Sequence, residues 1–439
     1  YISGKTPGST CGKFGNGLTT TYDYWYSCSG MDDYPAQVAM IAQDKKQYMC
    51  PCLSTSHTIR AAKIMKMVAA AMGKEEDIAA YDADIQRMSD ALNRYSWDEK
   101  SGYYAYSVYD DDKNYQGIFT TDAGENYDKG MDGVYPLFAG AAPEERRERL
   151  LAHIKNPDEM WSAAGISAVD MTASYYFDDG YWNGNVWMSH QFFMWKTMFD
   201  LGETEFAFEI ARRALDMWKE ETDFSYNTYE CFGIQTRRGG WFHNFGGLSA
   251  PINVWADCYY RPGTFTCGLD VWTDSQKLTD TSAEVYFRYT GDNGQYAFVL
   301  TLSDAHSYRL TLDGQEPKSG KRSNWSWWCC SVMVRGAWGT IQWIRLLNWD
   351  IPPPTASPVC ALAMTIPGRQ PFAALGRPTR CQNENVSPGR MRMPLIFGAA
   401  SARLTALLSC KTGSTLPSVR RMTARCRQTS AGSGAARSR

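Results

Sequence analysis

Three short segments of the sequence combine carboxylates with aromatic residues and glycine. They read SGMDDYP at residues 29–35, YWNGNVW at residues 181–187 and YNTYECF at residues 226–232. Tyr24 and Trp25 precede the first segment, and WFHNFG at residues 241–246 follows the last. Binding and catalytic residues concentrate on loops that a rigid scaffold holds in place. These segments are therefore the candidates for chemistry.

Carboxylates beside aromatic faces meet the physical requirements for handling sugars. The C–H groups of a sugar ring stack on Trp and Tyr, and sugar hydroxyls bond to Asp and Asn side chains. Cleavage of a glycosidic bond needs one carboxylic acid and one carboxylate on opposite sides of that bond. Each segment alone also has a structural interpretation: DDYP suits a helix entry or turn, YWNG suits a packed turn, and Glu230 suits a solvated position.

The scaffold between these segments is predicted to be helical. Apolar residues recur at intervals of three and four from Ile59 to Ala71 and again from Ile78 to Leu92, with Gly73 between the two runs, which predicts an αα-hairpin. Trp97 to Tyr106 is typical of a short β-hairpin. Further helices are predicted at residues 144–154, 186–201, 205–218 and from 252. Helical hairpins separated by aromatic loops favour an α/α toroid, with a simple bundle as the alternative.

The period of the apolar pattern changes to two after about residue 280. Strands are predicted at residues 283–289, 296–302 and 308–312, which gives a small antiparallel β module. Residues 352–439 contain 12 Arg, one Lys and a single acid, hence a charge of +12. Such a tail is either basic and disordered or non-native sequence from a shifted reading frame. We assign it no fold and no chemistry.

Charge and cysteine spacing exclude several classes of partner. The net charge of the whole chain is −2, so the residues before the tail carry a net charge of −14. This negative charge argues against nucleic acid and anionic membrane as partners and suits a neutral or cationic ligand. No run of 18 apolar residues occurs, so no membrane span is expected. The 13 Cys contain no CxxC pair, and we expect mostly buried thiols, no metal and no cofactor. The chain opens without Met, so its start is expected to be processed or cut, and neither localisation nor oligomeric state is indicated.

In their order along the chain these motifs resemble glycoside hydrolase family 63, which includes processing α-glucosidases and mannosylglycerate hydrolases. The resemblance covers roughly residues 22–275. The segment at 29–35 is similar to the family's SGxDDxP motif, and the segment at 181–187 is similar to YWRGxxW. GVYPLFAG at 133–140 and GISAV at 165–169 resemble its PLFxG and GxxS stretches. YECF at 229–232 lies where the family carries its base glutamate, before HNFG at 243–246.

The resemblance implies a partial (α/α)6 toroid and an inverting α-glycosidase that acts on an α-glucoside-type carbohydrate. Asp32 aligns with the general acid and Glu230 with the general base, and Asp33 is the alternative acid. A second carboxylate beside an acid favours the protonated form of that acid. The implied substrate-binding residues are Tyr24, Trp25, Asp33, Tyr181, Trp182, Asn183, Trp187, Tyr229, His243 and Phe245. Trp182 is the main candidate for sugar stacking, and core packing is the alternative for Trp187.

Departures from the family pattern shape the expected organisation. Asn183 replaces the family Arg and Gly247 replaces a Trp, so we expect a changed substrate range. SGMDDYP lies near the start of the chain, so several N-terminal helices are expected to be missing and the toroid to be open. The expected domains are an incomplete catalytic toroid at 1–275, a β module at 276–350 and the basic tail at 351–439.

Two other functions stay open. One is a non-catalytic carbohydrate-binding remnant that keeps the aromatic cleft, and the other is a different α/α toroid enzyme such as a trehalase or phosphorylase. In a remnant, Asp32 and Glu230 are expected to be separated or exposed to solvent. In an enzyme, they are expected to face each other across a cleft.

Overall fold

The computed structural model describes residues 12–20, 29–291, 295–303, 308–312, 328–335, 341–346, 362–363, 403–411 and 420–426. These residues form two compact units. The first unit takes the described residues within Tyr1–Ala256, Gly268–Trp272 and Thr290–Asn293. The second takes those within Asp257–Cys267, Thr273–Tyr289 and Gly294–Arg439.

The described residues contain eight α-helices. They are α1 Pro35–Ala42, α2 Cys52–Met72, α3 Glu75–Tyr95, α4 Met131–Ala139, α5 Glu144–Lys155, α6 Met188–Asp200, α7 Thr204–Ser225 and α8 Gly246–Tyr260. A single 3-10 turn, Lys46–Tyr48, precedes α2. No helix in the described part of the chain is both long and apolar enough to cross a membrane.

The helices of the first unit alternate between two layers. α2, α4 and α6 contact one another in that order, and each also contacts the next helix along the chain, α3, α5 and α7 respectively. Every residue of α4 is buried, whereas only Met88, Ala91 and Leu92 are buried in α3. Of these six helices, α2, α4 and α6 are therefore inner, and α3, α5 and α7 are outer with a polar face toward solvent. This alternation is that of an incomplete (α/α) toroid, as the sequence predicts.

Most predicted helices are confirmed, with shifted ends. Gly73 ends α2 in the left-handed conformation, with a φ of 68° that glycine adopts without steric strain. α7 continues to Ser225, and α8 begins at Gly246, six residues before the predicted start. α1 and α4 were not predicted as helices. α4 is buried on all sides, so its sequence lacks the polar stripe that reveals a helix.

Nine short strands connect the helices of the first unit. They are β1 Met49–Cys50, β2 Trp97–Asp98, β3 Tyr103–Tyr104, β4 Ser107–Tyr109, β5 Tyr115–Ile118, β6 Trp161–Ser162, β7 Gly165–Ile166, β8 Tyr229–Phe232 and β9 Gly239–His243. β2 and β3 pair Trp97 with Tyr104, which confirms the predicted hairpin. β6 with β7 and β8 with β9 form two more antiparallel hairpins.

Ten further strands form two sheets. They are β10 Thr264–Cys267, β11 Val271–Thr279, β12 Ser282–Tyr289, β13 Gln295–Ser303, β14 Tyr308–Leu312, β15 Trp328–Arg335, β16 Ile341–Leu346, β17 Leu362–Ala363, β18 Arg403–Lys411 and β19 Arg420–Cys426. One sheet has the order β10-β13-β18-β15-β16-β17 and the other β11-β12-β19-β14. The three predicted strands, β12, β13 and β14, are found within one residue of their expected ends.

Three of these strands lie in the basic tail. β18 pairs with β13 and β15, and β19 pairs with β12 and β14. In the sequence of β18, Leu404, Ala406 and Leu408 occupy alternate positions, but the apolar Leu407 interrupts this period of two, so the sequence gives only a weak strand signal. The rest of residues 351–439 lies outside the described residues, so the expected lack of a packed core there stays a prediction.

A buried ion pair joins distant parts of the first unit. Arg60 of α2 lies 2.5 Å from Asp270 (Nη1 to Oδ1), and both side chains are at most 4% exposed. Arg60 Nε also donates to the carbonyl of Phe138 in α4 at 2.9 Å. Asp200, the last residue of α6, accepts the backbone N–H groups of Leu269 and Asp270 at 2.9 and 3.0 Å. All three inner helices are thereby tied to one short segment.

Candidate active site

The SGMDDYP segment is a tight turn at the entry to α1. The backbone N–H of Met31 donates to Ser29 Oγ at 3.1 Å, and that of Tyr34 donates to the Met31 carbonyl at 3.1 Å. Pro35 begins the helix, where its missing N–H leaves no unpaired donor. Tyr34 is fully buried and anchors the turn, while the side chain of Asp32 is exposed. We call residues 29–35 the DDYP turn.

Asp33, half-buried, connects the DDYP turn to a second motif. Its Oδ1 accepts the backbone N–H of Trp182 at 2.7 Å. Burial raises the pKa of Asp33 above its ordinary value; the N–H of Trp182 opposes this shift and the neighbouring charge of Asp32 adds to it. The carboxylate of Asp33 therefore binds the backbone of a residue that lies 149 positions away in sequence.

Residues 181–187, the YWNG loop, are shaped by close backbone contacts. A Cβ at Gly184 would lie 1.9 Å from the Phe177 carbonyl, so only glycine fits there. The backbones of Val186 and Phe232 exchange two hydrogen bonds of 2.8 and 2.9 Å. This isolated bridge brings the YWNG loop against β8, the strand that carries Glu230.

Glu230 is a buried carboxylate held by a neutral donor. Its side chain is only 7% exposed, and its Oε1 accepts the Tyr181 hydroxyl at 2.5 Å. Within the described part of the chain, Oε2 of Glu230 is buried without a hydrogen-bond partner. Burial, the bond to Glu230 and the charges of Glu230 and Asp32 all raise the pKa of Tyr181. The Tyr181 hydroxyl therefore keeps its proton and acts as the donor.

The thiol of Cys231 is influenced by both carboxylate segments. Burial raises the pKa of Cys231 to about 12, against the hydrogen bond from Asn185 Nδ2 at 3.1 Å. The charges of Glu230 and Asp33 contribute to the same shift. The structure thus brings the DDYP turn, the YWNG loop and the β8–β9 hairpin into one cluster, although they are far apart in sequence.

The two tryptophans of the YWNG loop pack against each other. The rings of Trp182 and Trp187 are stacked with centroids 3.5 Å apart and an interplanar angle of 6°. Their exposed fractions are 4% and 1%. His190 contacts the Trp182 ring edge-on at 5.2 Å. In this structure both Trp182 and Trp187 are therefore packed in the core, the alternative given above for Trp187.

The remaining predicted site residues occupy different environments. Asn183 is half-buried with its Oδ1 unpaired among the described residues, and its carbonyl accepts the N–H of Phe177 at 3.0 Å. Tyr229 and His243 face each other as a strand pair, the latter exposed. Phe245 is 38% exposed. Tyr24 and Trp25 lie outside the described residues.

Two features of the site were not assigned from the sequence. Trp241 lies against Tyr181, with ring centroids 4.4 Å apart. Glu221 of α7 is buried and binds Arg238 (Oε2 to Nε, 2.6 Å) and the N–H of Gly239 at 3.0 Å, which fixes the start of β9 to α7. Trp241 belongs to the aromatic segment at 241–246, but its spacing gave no signal to rank it above its aromatic neighbours.

The described residues contain one group of potential metal ligands, outside the three motifs. Single ligand atoms of His153, Glu159 and Asp170 lie within 4.8 Å of one another. His153 Nδ1 is 2.6 Å from Glu159 Oε2, and Asp170 Oδ2 accepts the Tyr103 hydroxyl at 2.9 Å. Lys129 Nζ is 4.0 Å from the same Asp170 oxygen. These bonds and the nearby cation favour a structural network over a metal site.

Known proteins similar to this chain include one curated relative and several solved structures. The probable mannosyl-oligosaccharide glucosidase of Schizosaccharomyces pombe is 28% identical over 184 residues; the match covers 39% of this chain and 20% of the yeast protein. An uncharacterised conserved protein from Thermus thermophilus has a TM-score of 0.45 and 19% identity, covering 56% of this chain and 65% of that one. The glucose complex of the GH63 mannosylglycerate hydrolase from the same organism has a TM-score of 0.43 and 20% identity, covering 55% and 63%. The chain thus spans less than two thirds of the length of each of these proteins.

A family model provides the assignment. The model of the mannosylglycerate hydrolase MGH1-like glycoside hydrolase domain matches residues 18–237, which is half of the chain. The match includes the DDYP turn, the YWNG loop and Glu230. The chain therefore belongs to the MGH1-like glycoside hydrolase family.

Proposed function

We propose that this chain is the catalytic part of a glycosidase that cleaves α-glucoside-type bonds with inversion of configuration. One observation carries the proposal. The consecutive residues Tyr181 and Trp182 bind the two carboxylate segments, the first through its hydroxyl to Glu230 and the second through its N–H to Asp33. Two consecutive residues thus hold Glu230 and, through Asp33, the turn that carries Asp32, and catalysis by two carboxyls requires such a fixed arrangement.

Asp32 is proposed as the general acid. Asp33 is bonded to the Trp182 backbone, whereas the Asp32 carboxyl is exposed on the outer side of the same turn. Exposure of Asp32 is also what a non-catalytic remnant predicts, so its proposed role rests on the bond of Asp33, which ties the DDYP turn to the loop that binds Glu230. Asp33 acts as a positioning residue that holds the turn in place. Asp32 donates its proton to the leaving-group oxygen as the bond from that oxygen to C1 breaks.

Glu230 is proposed as the general base. Oε1 is fixed by Tyr181, which leaves the lone pairs of Oε2 for a substrate water. The water attacks C1 from the face opposite the leaving group and transfers a proton to Glu230. In inverting enzymes the two carboxyls are about 6.5–9.5 Å apart, which leaves room for that water. The net reaction consumes one water and yields an alcohol and a sugar of inverted anomeric configuration.

The substrate class rests on the relatives. The matched family model is described as mannosylglycerate hydrolase MGH1-like, and the yeast relative is named a probable glucosidase. Both names describe hydrolysis of a bond to a hexose. Asn183 stands where an Arg is expected, so this chain lacks one bidentate donor for a charged aglycone, and a neutral α-glucoside is the proposed substrate.

The stereochemical course tests the mechanism. The full chain would be incubated with α-glucosyl fluoride, 4-nitrophenyl α-glucoside, 4-nitrophenyl α-mannoside and trehalose, and the first-formed sugar would be followed by proton NMR. We expect β-glucose as the initial product from the glucosides. Initial α-glucose would contradict inversion, cleavage of trehalose alone would favour a trehalase, and sugar binding without turnover would favour a non-catalytic remnant.

Two substitutions separate the roles. We expect Glu230→Gln to lower kcat by about 10² to 10⁴ with every substrate, because no base activates the water. Asp32→Asn should be equally impaired with poor leaving groups but partly restored with α-glucosyl fluoride, which needs no protonation. Glu209→Gln is the matched control, because Glu209 pairs with Arg212 on α7. Wild-type turnover by Glu230→Gln would overturn the proposed function.

A further inference from the structure

The hairpin that carries Glu230 contains a β-bulge directly opposite that residue. Tyr229 pairs with His243 and Cys231 pairs with Gly240, and the register shifts between these two pairs. Glu230 alone on β8 therefore opposes two residues on β9, Trp241 and Phe242. Bulges re-aim a side chain, and they are common beside active sites.

Trp241 has an unfavourable backbone conformation within this bulge. Its φ is +61°, in the left-handed region that non-glycine residues seldom adopt. The same hairpin has glycine at positions 239 and 240, just before the bulge. Strain of this kind persists where the surrounding structure enforces it, and such residues cluster at functional sites.

The Trp241 ring is exposed to solvent, whereas the ring of Trp182, the residue predicted to stack on sugar, is buried. The Trp241 side chain is 62% exposed, compared with 4% for Trp182, whose face is covered by Trp187. Trp241 is in contact with Tyr181 at 4.4 Å between ring centroids, and Tyr181 donates to Glu230. One side of the indole is thus supported beside the base while the rest is accessible to solvent.

We propose that Trp241 is the aromatic platform on which the pyranoside substrate rests, and that Trp182 is a packing residue beneath the site. This proposal deepens the proposed function and rests on it. The ligand class is a pyranose ring that presents a face of C–H groups, because these groups stack on an indole. The strained bulge serves to hold the indole beside Glu230.

Replacement of Trp241 by glycine separates binding from stability. Glycine adopts a φ of +61° without strain, which offsets the greater freedom that it gives the unfolded chain, so Trp241→Gly should change Tm little. The same change should raise KM for 4-nitrophenyl α-glucoside at least about tenfold with a smaller change in kcat, since the platform is lost. Trp241→Phe should recover part of the KM. A structural role alone would instead lower Tm and leave KM intact.

Phe242 provides the matched control. It shares the bulge and is 66% exposed, but its φ is not positive, so Phe242→Ala should leave KM within about twofold. Trp182→Ala should lower Tm, because it removes a buried ring. Equal KM effects of the changes at 241 and 242 would overturn the proposal, as would an unchanged KM in Trp241→Gly.

A binding measurement keeps this proposal separate from the catalytic one. Saturation-transfer NMR with methyl α-glucopyranoside would be recorded on Glu230→Gln and on the double variant Glu230→Gln/Trp241→Gly. We expect transfer to the ring C–H protons in the first and its loss in the second. Retained transfer in the double variant overturns the platform alone, whereas wild-type turnover by Glu230→Gln overturns the proposed function.

Discussion

Among the buried and half-buried carboxylates described in the first unit, two groups are held in different ways. Asp270 is paired with the Arg60 guanidinium, and Asp200 binds the two N–H groups of the segment that contains Asp270. Glu230 and Asp33 have no cationic partner among the described residues, and each is held by one neutral donor, a tyrosine hydroxyl or a backbone N–H. We call these the ion cluster and the site cluster.

The pKa values of Asp270 and Asp33 are shifted in opposite directions, and within the ion cluster the pKa of Asp200 is raised like that of Asp33. Burial raises the pKa of Asp270, but the charges of Arg60 and Lys63 outweigh it and hold the pKa below its ordinary value. Burial raises the pKa of Asp33, and the backbone N–H groups of Trp182 and of Asp33 itself do not cancel that effect. A carboxylate neutralised by a cation is inert toward protons near neutrality. In the site cluster, Oε2 of Glu230 has neither a cation nor a hydrogen-bond donor beside it among the described residues.

The largest expected effect comes from breaking the ion cluster. Asp270→Asn removes the negative charge of a buried ion pair, and breaking such a pair lowers the free energy of unfolding by about 3–5 kcal/mol. Urea denaturation measures this loss. Asp82→Asn is the control, because Asp82 pairs with Lys66 near the surface and such pairs contribute about 0–1 kcal/mol. Equal losses in the two variants would contradict the assigned role of the ion cluster.

The next largest effect is expected at the site cluster. Tyr181→Phe removes the donor to Glu230 Oε1 but keeps the ring that packs on Trp187 and Trp241. Hydrogen bonds to charged groups contribute about 1.5–3 kcal/mol, so kcat should fall about 10- to 100-fold while KM changes little. Steady-state kinetics on an α-glucoside checks this split. A purely structural tyrosine would show lower stability and normal kcat per folded molecule.

Asp200 gives the ion cluster a pH dependence of opposite sign to the usual carboxylate. Burial, together with the charge of Asp270, raises the pKa of Asp200 to about 7. Between about pH 4 and pH 7 the folded state therefore holds a proton that the unfolded state has released. The free energy of unfolding should fall as pH rises through this window, by at most about 1.4 kcal/mol per pH unit.

The contribution of Asp200 is isolated by difference. Urea denaturation of the wild type and of Asp200→Asn would be compared at pH 4.5, 5.5 and 6.5. The substituted chain cannot titrate at this position, so the free energy of unfolding of the wild type minus that of Asp200→Asn should decrease steadily as pH rises. A constant difference would mean that Asp200 is ionised in the folded protein throughout this range.

The smallest effect is expected at Asp33. Asp33→Asn keeps an oxygen that accepts the Trp182 N–H, so kcat/KM should change by less than about tenfold if Asp33 only positions the turn. Asp33→Ala leaves that N–H unpaired and should lower the free energy of unfolding by about 1–3 kcal/mol. Loss of activity in Asp33→Asn as severe as in Glu230→Gln would instead identify Asp33 as the acid.

The sequence by itself predicted the periodic elements and the order of the motifs. α2 and α3 are predicted by apolar residues at intervals of three and four, and β12 to β14 by apolar residues at alternate positions. Each of these patterns lies within one short stretch of chain, so the sequence alone reveals it. Asp32 and Glu230 were recognisable because their neighbours form motifs. α4 was not predicted, because a helix that is buried on every side has no polar stripe in its sequence.

The tertiary structure alone decided which residues meet. Arg60 and Asp270 are 210 positions apart and Asp33 and Trp182 are 149 apart, so no local pattern records these contacts. The exposure of the tryptophans was decided in the same way. The Trp182 ring is covered by Trp187, whereas Trp241 lies in the bulge opposite Glu230 and is exposed. Side-chain exposure depends on how strands and loops pack rather than on residue type. Local periodicity is fixed by steric preferences of neighbouring residues, but long-range contacts arise only when the helical hairpins stack and bring their loops together.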